Sequence, residues 1–269
     1  MKKQRAFLKW AGGKYSLVDK IAPHFPESKV LVEPFVGAGS IFLNTDYDKY
    51  ILADINEDLI SVFKLVQSNP EGYIADAKQL FTEKSNSATT FYRFRKQFNE
   101  CKDPYQRALL FLYLNRHGYN GLCRYNKKGA FNVPFGRYKK IRFPEDEILA
   151  FSEKAQKAQF ICAPYHQVMK KAPKDSVIYC DPPYAPLSES ANFTAYYATG
   201  FSDKEQEKLA KLAEKLVSKN IHVVISNHNT ENTRKWYKNA KTHLIEARRL
   251  ISRDVKGRNK IDELIAIYS

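Results

Sequence analysis

The chain has 269 residues, which fits one large domain or one domain that carries an insertion. Hydrophobic residues make up 43% and charged residues 27%, which argues against intrinsic disorder, a collagen-like repeat and a membrane protein. Lys and Arg number 44 against 29 Asp and Glu, and this net charge of +15, together with 17 Tyr and 17 Phe, makes nucleic acid the leading class of partner.

The first predicted strand is Val30–Glu33, and a glycine-rich turn follows it. Gly37 and Gly39 stand in this turn, and an apolar helix is predicted to begin at Ile41. Glycines between a strand and a helix let the backbone approach a nucleotide-like ligand closely. The GxGxxG pattern of a dinucleotide site fails because Phe42 takes the place of its third glycine, so an ordinary turn is at least as consistent with these residues.

A second strand, Tyr50–Ala53, leads into Asp54, and Asn56 is predicted to cap a helix that runs to about Gln67. A carboxylate at the end of a second strand can accept hydrogen bonds from both hydroxyls of a ribose. The dipole of the following helix is an alternative reason for an acidic residue here. The glycine turn and the carboxylate together indicate a nucleotide-like ligand more specifically than either does alone.

Residues 56–144 do not follow the alternation of strands and helices. Ala88–Phe98 and Pro104–Arg116 are predicted helices, and the Asn and Gly within Tyr125–Phe131 predict a hairpin turn. Between Phe91 and Phe143 there are 13 Lys or Arg, 2 acidic residues and 13 Tyr or Phe. A basic run alone is usually a solvated surface, but basic residues interleaved with aromatic ones around a hairpin are typical of a nucleic-acid interface.

The alternation resumes with the strand Val177–Cys180. Ser202 and Glu205 predict a capping box at the start of an amphipathic helix. Three further predicted strands complete this region: Ile221–Ser226, His243–Ile251 and Ile261–Tyr268. This order predicts an α/β fold with a mostly parallel, doubly wound sheet, an antiparallel terminal hairpin and an inserted, mainly helical domain that carries a β-hairpin. The sheet would come from residues 1–55 and 145–269, and the insertion would be 56–144.

The tetrapeptide Asp181-Pro182-Pro183-Tyr184 directly follows the third strand. A carboxylate accepts hydrogen bonds from N–H donors, the Pro182 carbonyl can point into a cleft, and Tyr184 offers a flat face on which a base can stack. These groups suit an exocyclic amino group held by two acceptors while its ring lies on the tyrosine. A structural Asp-Pro turn explains the tetrapeptide alone equally well.

Four cysteines without a CxxC spacing argue against a zinc ribbon, and six histidines without an HExxH pattern give no support to a metal site. We expect free, buried thiols in a reducing compartment. Met1–Gly13 is basic but has no apolar core of a signal peptide, and the longest strongly apolar run, Ala108–Leu114, is too short to span a bilayer. We therefore expect a cytoplasmic protein.

Several segments, in the correct order and over nearly the whole chain, resemble the α-group DNA adenine-N6 methyltransferases, and within them the GATC-specific Dam family. The segments are Phe7–Lys14, Glu33–Ser40, Arg116–Arg124, Asn132–Tyr138 and Asp181–Tyr184. The resemblance implies a methyltransferase-type sheet with an inserted target-recognition domain. It also implies S-adenosylmethionine as cofactor, S-adenosylhomocysteine as product, double-stranded DNA as substrate, and neither a metal nor an obligate protein partner.

The resemblance also implies roles for individual residues. Catalysis falls to Asp181, Pro182 and Tyr184, and cofactor binding to Trp10, Lys14, Phe35, Gly37, Asp54 and Asp181. The residues expected at or near bases are Lys9, Tyr119, Asn120, Leu122, Arg124 and Pro134, while Arg95, Arg137 and Lys139 are expected at phosphates. Tyr119 would fill the gap left by a flipped adenine, unless it is an ordinary core tyrosine.

We expect direct in-line transfer, in which adenine N6 attacks the methyl carbon. Cytosine-C5 methylation would need a cysteine nucleophile, and Cys162 and Cys180 stand at strand ends without a supporting motif. The alternatives are an amino methyltransferase for RNA or cytosine N4, and a non-catalytic DNA-binding protein. The loops 185–199 and 252–260 are expected to open for the base and to close over it. A role in DNA replication and mismatch repair, or in a phage or restriction system, stays open.

Overall fold

The computed structural model describes residues 3–185, 201–248 and 260–269, and within these ranges not the side chains at 247, 248, 260 and 261. Apart from Ala185 and Lys260, the two loops expected to open lie outside the described residues. The strands are β1 (Val30–Glu33), β2 (Lys49–Asp54), β3 (Ala158–Cys162), β4 (Val177–Cys180), β5 (His222–His228), β6 (Lys241–Arg248) and β7 (Lys260–Tyr268). They form one sheet in the order β3-β2-β1-β4-β5-β7-β6.

The pairing of the strands confirms the predicted fold class. β1 runs parallel to β2 and β4, and β4 runs parallel to β5. β7 is antiparallel to both β5 and β6. All four residues of β4 are buried, as expected for a parallel strand covered on both faces. Because parallel strands share one direction, the carboxyl ends of β1, β2 and β4 lie at the same edge of the sheet.

Helices make up most of residues 57–155. The α-helices of the described residues are α1 (Val18–Ile21), α2 (Ser40–Leu43), α3 (Glu57–Ser68), α4 (Pro70–Gln79), α5 (Ala88–Glu100), α6 (Pro104–His117), α7 (Glu145–Ala155), α8 (Tyr165–Lys170), α9 (Asp203–Val217) and α10 (Glu231–Trp236). Short 3-10 helices are Lys14–Ser16, Ala22–His24, Glu83–Ser85 and Tyr119–Gly121. None of the helices in the described ranges is long and apolar enough to cross a membrane.

The start of α3 confirms the predicted cap, whereas the capping box predicted at the start of α9 is wrong. The Asn56 side chain accepts the N–H of Leu59 at 3.1 Å. The Ser202 side chain caps no backbone N–H of α9. Glu205 instead accepts a hydrogen bond from the Tyr165 hydroxyl at 3.0 Å and pairs with Lys208 at 2.7 Å. A carboxylate with two such donors in reach gains more from them than from one backbone N–H.

The chain divides into two compact units. The first comprises Met1–Ser16, Val36–Asp46 and Asp54–Cys162, and the second comprises Leu17–Phe35, Tyr47–Ala53 and Ala163–Ser269. In the first unit, Phe7 and Phe63 pack against Phe151 with ring centroids 5.0 and 4.6 Å away. The core of the second unit consists of the buried strands β1, β4 and β5.

Arg107 of α6 holds three parts of the first unit together. Its guanidinium binds both carboxylate oxygens of Asp58 in α3, and its Nη1 donates to the Phe98 carbonyl at 2.7 Å. The Tyr125 hydroxyl donates to the same Asp58 carboxylate. Asp58 is 11% exposed and Arg107 is 27% exposed, so water screens this pair only weakly.

Arg107→Leu is therefore expected to lower the free energy of unfolding by about 2–3 kcal/mol, because it leaves the largely buried Asp58 charge without its cationic partner. Urea unfolding followed by circular dichroism measures the change. Lys96→Ala is the matched control, because it breaks the exposed Lys96–Glu100 pair and should change the free energy by less than about 0.5 kcal/mol. Equal effects of the two substitutions would contradict the assignment.

Candidate active site

The turn after β1 needs glycine at both of its glycine positions. Gly37 has φ of +48° and Gly39 has φ of +75°, in the left-handed region that other residues rarely adopt. A Cβ atom added to Gly37 would lie 2.9 Å from the indole Nε1 of Trp10. The indole therefore lies directly against the turn, and the space beside Gly37 has no room for a side chain.

Asp54, the last residue of β2, is bound to the same turn. Its Oδ2 accepts the N–H of Gly37 at 3.2 Å, and its Oδ1 accepts the N–H of Asn56 at 3.0 Å. Burial raises the pKa of the Asp54 carboxyl, and the backbone N–H groups that bond to it act against this rise. A carboxylate has about four lone-pair positions, so each Asp54 oxygen can still accept a hydrogen bond from a ligand hydroxyl.

Two further residues of the first unit, Lys14 and Ile55, bear on the predicted cofactor site. Lys14 is only 5% exposed, and its Nζ donates to the Gly12 carbonyl at 2.8 Å, so it is not a solvated surface lysine. Ile55 follows Asp54 and is 76% exposed, an apolar side chain beside a polar carboxylate. Sequence reasoning missed Ile55. The signal was an apolar residue that continues the run of β2 beyond its final acid.

Asp181 directly follows β4 and is half-buried. Its Oδ1 accepts a hydrogen bond from the Ser226 hydroxyl at 2.9 Å. Ser226 lies in the neighbouring strand β5 and is completely buried, and its Oγ is also 2.9 Å from the Tyr179 hydroxyl. The adjacent strand thus orients the carboxylate. Sequence reasoning missed Ser226, whose only signal is a polar residue at the end of an apolar strand.

Hydrogen bonds and a ring contact hold the residues after Asp181 in place. The Tyr184 hydroxyl donates to Glu263 Oε2 at 2.7 Å, and its ring meets the His228 ring edge to face at 4.7 Å. Burial, with the nearby carboxylates, raises the pKa of Tyr184 well above its ordinary value. Gln206 Nε2 donates to the Pro183 carbonyl at 2.7 Å. Pro182 is buried between these contacts.

Phe35 follows β1 and belongs to an aromatic group in the second unit. Its ring stacks on Tyr165 with centroids 5.3 Å apart and meets Phe201 edge to face at 5.7 Å. The residues predicted at the cofactor therefore fall into two sets. Trp10, Lys14, Gly37 and Asp54 lie in the first unit, and Phe35 and Asp181 lie in the second.

Lys9 and the 3-10 turn Tyr119–Gly121 pack against each other in the first unit. A Cβ atom at Gly121 would lie 2.1 Å from the Cβ of Lys9. Lys9 Nζ donates to the Arg116 carbonyl at 3.2 Å and lies 3.9 Å from the centroid of the Tyr138 ring. Burial, followed by the charge of Arg116, lowers the pKa of Lys9 to about 8.

The exposed part of this turn carries Tyr119 and Asn120. Tyr119 is 51% exposed, which excludes the alternative of a core tyrosine. Its backbone N–H donates to the Pro134 carbonyl at 2.9 Å, and Pro134 itself is exposed. Asn120 has φ of +52°, a conformation that asparagine tolerates better than most residues. The two predicted base-facing side chains therefore project from a turn that is tied to residue 134.

An isolated β-bridge and a backbone hydrogen bond confirm the predicted hairpin turn. Tyr125 and Phe131 form an isolated antiparallel bridge, and the Asn126 N–H donates to the Ala130 carbonyl at 2.9 Å. Arg124 is exposed, and its Nε donates to Asn132 Oδ1 at 2.8 Å. Arg124 therefore lies at the surface beside the hairpin turn. The hydrogen bonds from Asn126 to Ala130 and from Arg124 to Asn132 hold the turn closed.

The three cations expected at phosphates differ in their surroundings. Arg95 Nη1 donates to the Val133 carbonyl at 3.0 Å, so this side chain joins α5 to the segment that holds Pro134. Arg137, with φ of +53°, and Lys139 are both exposed. Leu122 is half-buried. Arg137 and Lys139 are thus open to a phosphate, whereas Arg95 already has a partner in the protein.

The cysteines are all free, as expected, but only Cys180 is buried. Within the described ranges, no three His, Cys, Asp or Glu side chains are grouped in a way that could hold a metal ion. The group at the glycine turn and the group at Asp181 both lie at the carboxyl ends of strands. The first offers a carboxylate that is held by the N–H groups of Gly37 and Asn56 and keeps acceptor capacity, and the second offers a carboxylate beside an aromatic ring.

A family model described as D12 class N6 adenine-specific DNA methyltransferase matches residues 10–251. Two proteins named DNA adenine methylase, from Salmonella typhi and Escherichia coli (strain K12), are each 58% identical over 268 residues, covering 100% of this chain and 96% of the relative. A third protein of that name, from Serratia marcescens, is 57% identical over 269 residues, covering 100% of both chains.

His117 ends α6, immediately before the Tyr119 turn, and is almost completely buried. Its ring stacks on Tyr113 with centroids 3.8 Å apart, and its backbone carbonyl accepts the N–H of Gly136 at 2.8 Å. Burial lowers the pKa of His117 to about 4. The folded protein therefore holds this imidazole neutral under conditions in which the unfolded chain protonates it.

Between pH 6.5 and about 4, the unfolded state binds a proton at His117 that the folded state does not bind. The free energy of unfolding should therefore fall as the pH is lowered through this window, by up to about 3 kcal/mol from this group. Urea unfolding at pH 7, 5.5 and 4.5 measures the slope. His117→Phe keeps the stacked ring and cannot titrate, so the slope should be smaller in this variant. An unchanged slope would assign the acid sensitivity to other groups.

Proposed function

The chain belongs to the D12 class of N6 adenine-specific DNA methyltransferases, and from this premise we propose that it methylates adenine N6 in double-stranded GATC sites. Membership of a methyltransferase family implies S-adenosylmethionine as the methyl donor. The observation that carries the proposal is the half-buried Asp181 carboxylate, oriented by Ser226 and followed by Pro182 and Tyr184. That arrangement suits an amino group attached to a flat ring.

The group at the glycine turn fits the cofactor. The Trp10 indole lies directly against Gly37, and the Asp54 carboxylate keeps acceptor capacity for two ribose hydroxyls. The exposed Ile55 offers an apolar surface for a nucleoside ring. We assign Trp10, Lys14, Phe35, Gly37, Asp54 and Asp181 to cofactor binding.

When bound, S-adenosylmethionine supplies a methyl group on a sulfonium, from which S-adenosylhomocysteine leaves readily. The residues of the chain then have to orient the amino group and exclude water. Asp181 accepts a hydrogen bond from N6–H, and its negative carboxylate stabilises the positive charge that N6 gains on attack and takes up the proton that N6 then loses. Pro182 offers a second acceptor through its carbonyl, and the Tyr184 ring supports the base. Direct attack by N6 needs no nucleophile from the protein.

Residues 56–144 are proposed as the target-recognition domain, and 1–55 with 145–269 as the catalytic domain. A paired adenine is out of reach of a carboxylate at a strand end, so the base must leave the helix. Tyr119 is exposed on a tight turn and is suited to fill the gap. Asn120, Leu122, Arg124 and Pro134 are assigned to base edges with Lys9, and Arg95, Arg137 and Lys139 to the phosphates.

The proposal is tested by incubating the protein with labelled S-adenosylmethionine and a plasmid that lacks adenine methylation, and in a parallel reaction with RNA. The DNA is then digested with nucleases that distinguish methylated from unmethylated GATC, and the labelled base is identified. We expect protection at GATC sites and label in N6-methyladenine. Label in cytosine or only in RNA would favour another amino methyltransferase, and bound DNA without label would favour a non-catalytic protein.

Asp181→Ala is expected to lower kcat at least about 10²–10³-fold, since the N6 amino group loses a positioned acceptor. Ser226→Ala keeps the carboxylate but removes its hydrogen bond, so the loss should be smaller, about tenfold. Single-turnover methylation measures both rates, and circular dichroism shows whether the variants keep the fold. Turnover by Asp181→Ala within about tenfold of the parent would overturn the catalytic assignment.

Arg124→Ala is expected to relax discrimination at one base pair of the site by about 1–3 kcal/mol, because a guanidinium at a base edge carries sequence information. Lys139→Ala should weaken binding to every duplex alike and reduce the salt dependence. Affinities for GATC and for each single-substituted duplex separate the two effects. Equal losses on all duplexes for Arg124→Ala would reassign it to a phosphate.

A further inference from the structure

Asn56 uses each of its polar groups, and the groups point to different parts of the first unit. Its backbone N–H donates to Asp54 Oδ1 at 3.0 Å. Its side-chain oxygen caps α3 by accepting the N–H of Leu59 at 3.1 Å. Its side-chain Nδ2 donates to the Cys123 sulfur at 3.3 Å. Turning the amide over would place an NH₂ group against the Leu59 N–H, so the side chain has one favourable orientation.

Cys123 lies between Leu122 and Arg124, both of which are assigned to base edges. Burial raises the pKa of the Cys123 thiol to about 12, so it stays protonated and is no nucleophile. Its sulfur serves as the acceptor for Asn56, the residue that caps α3.

Tyr125 gives the base-reading segment a second attachment to the same helix. Its hydroxyl donates to Asp58, in the first turn of α3, and Asp58 is held in turn by Arg107. Residues 123 and 125 therefore bind the N-terminal end of α3, while Arg124 between them is exposed. This is the alternation expected of an extended chain, in which successive side chains point to opposite faces.

We propose that Asn56 is a positioning residue that couples occupancy of the cofactor site at Asp54 to base discrimination by Leu122 and Arg124. The inference rests on the function proposed above. A ligand hydroxyl that bonds to the Asp54 carboxylate competes with the hydrogen bond that the Asn56 backbone N–H donates to Asp54 Oδ1. The Asn56 side chain, which cannot reorient freely, transmits the change to Cys123. Because coupling free energies are reciprocal, cognate DNA strengthens cofactor binding by the same factor.

Two substitutions separate this coupling from the folding of α3. Asn56→Ser keeps a good helix cap, since serine caps about as well as asparagine, but its side chain is too short to reach Cys123. Cys123→Ala removes the acceptor at the other end. Asn69→Ser is the matched control, because Asn69 caps α4 in the same way, accepting the Gly72 N–H at 3.1 Å, without a bond to the base-reading segment.

The affinities of the full chain for a GATC duplex and for a single-substituted duplex are measured with and without S-adenosylhomocysteine as the probe. In the parent, the probe should increase the preference for GATC. Asn56→Ser and Cys123→Ala should each reduce that increase by about tenfold, and the double variant should lose no more than either single variant. Asn69→Ser should behave like the parent. Thermal unfolding of Asn56→Ser should match that of Asn69→Ser.

Retention of the full probe-dependent preference in both single variants would overturn the inference, even if they were less stable. Additive losses in the double variant would also overturn it, because the two residues would then act separately. A parent that methylates GATC but whose preference does not respond to the probe would overturn the coupling alone. A parent without any preference for GATC would overturn the proposed function together with the inference.

Discussion

The parallel pairing of β1, β2 and β4 is the constraint on which the rest of the structure depends. Since these strands share one direction, their carboxyl ends lie at one edge of the sheet, where the backbone stops being hydrogen-bonded to neighbouring strands. The glycine turn follows β1, Asp54 ends β2 and Asp181 follows β4. β5, parallel to β4, delivers Ser226 to the same side of the sheet. The chemistry proposed here is thus distributed over segments that are far apart in the sequence and become related only through the sheet.

The two carboxylates at strand ends are held by different kinds of donor, and this difference matches the roles assigned to them. Asp54 is bound by backbone N–H groups, which cannot turn away or give up a proton, so it is a fixed acceptor suited to recognition. Asp181 is bound by the Ser226 hydroxyl, which also lies within hydrogen-bond distance of the Tyr179 hydroxyl. Hydroxyl hydrogens can rotate between partners. An acceptor held in this way can adjust as charge appears on the amino group during transfer.

The strands β1, β2, β4 and β5 were predictable because each contains a continuous apolar run, and the glycine turn and Asp54 were predictable because they follow the runs of β1 and β2. Of β3 only the end at Cys162 was predicted, because Ala158–Cys162 is mostly half-buried or exposed and has no continuous apolar pattern. The capping box at Ser202 was wrong because Tyr165, far away in sequence, competes for Glu205. Ser226, Glu263 and the Asn56–Cys123 bond escaped prediction for the same reason: each depends on a partner that only the folded chain brings close. Local patterns therefore predict elements and strand-end residues, but not the hydrogen bonds that orient them.

In the folded chain, the basic side chains of residues 91–143 do not all have the same contacts. Composition alone treats every cation as a possible phosphate ligand. The structure divides them, because Arg95, Arg107 and Arg116 donate to backbone carbonyls of Val133, Phe98 and Phe7, and Arg107 also binds Asp58. A guanidinium has five N–H donors and can tie several segments together, which a lysine ammonium does less well. Arginine therefore helps support the turns that are proposed to read bases, while Arg137 and Lys139, which are proposed to bind phosphates, and Lys140 are exposed. In this proposal the cations that attract the substrate and those that support the turns overlap at Arg95, which donates to the Val133 carbonyl through one nitrogen and keeps further N–H donors for a phosphate.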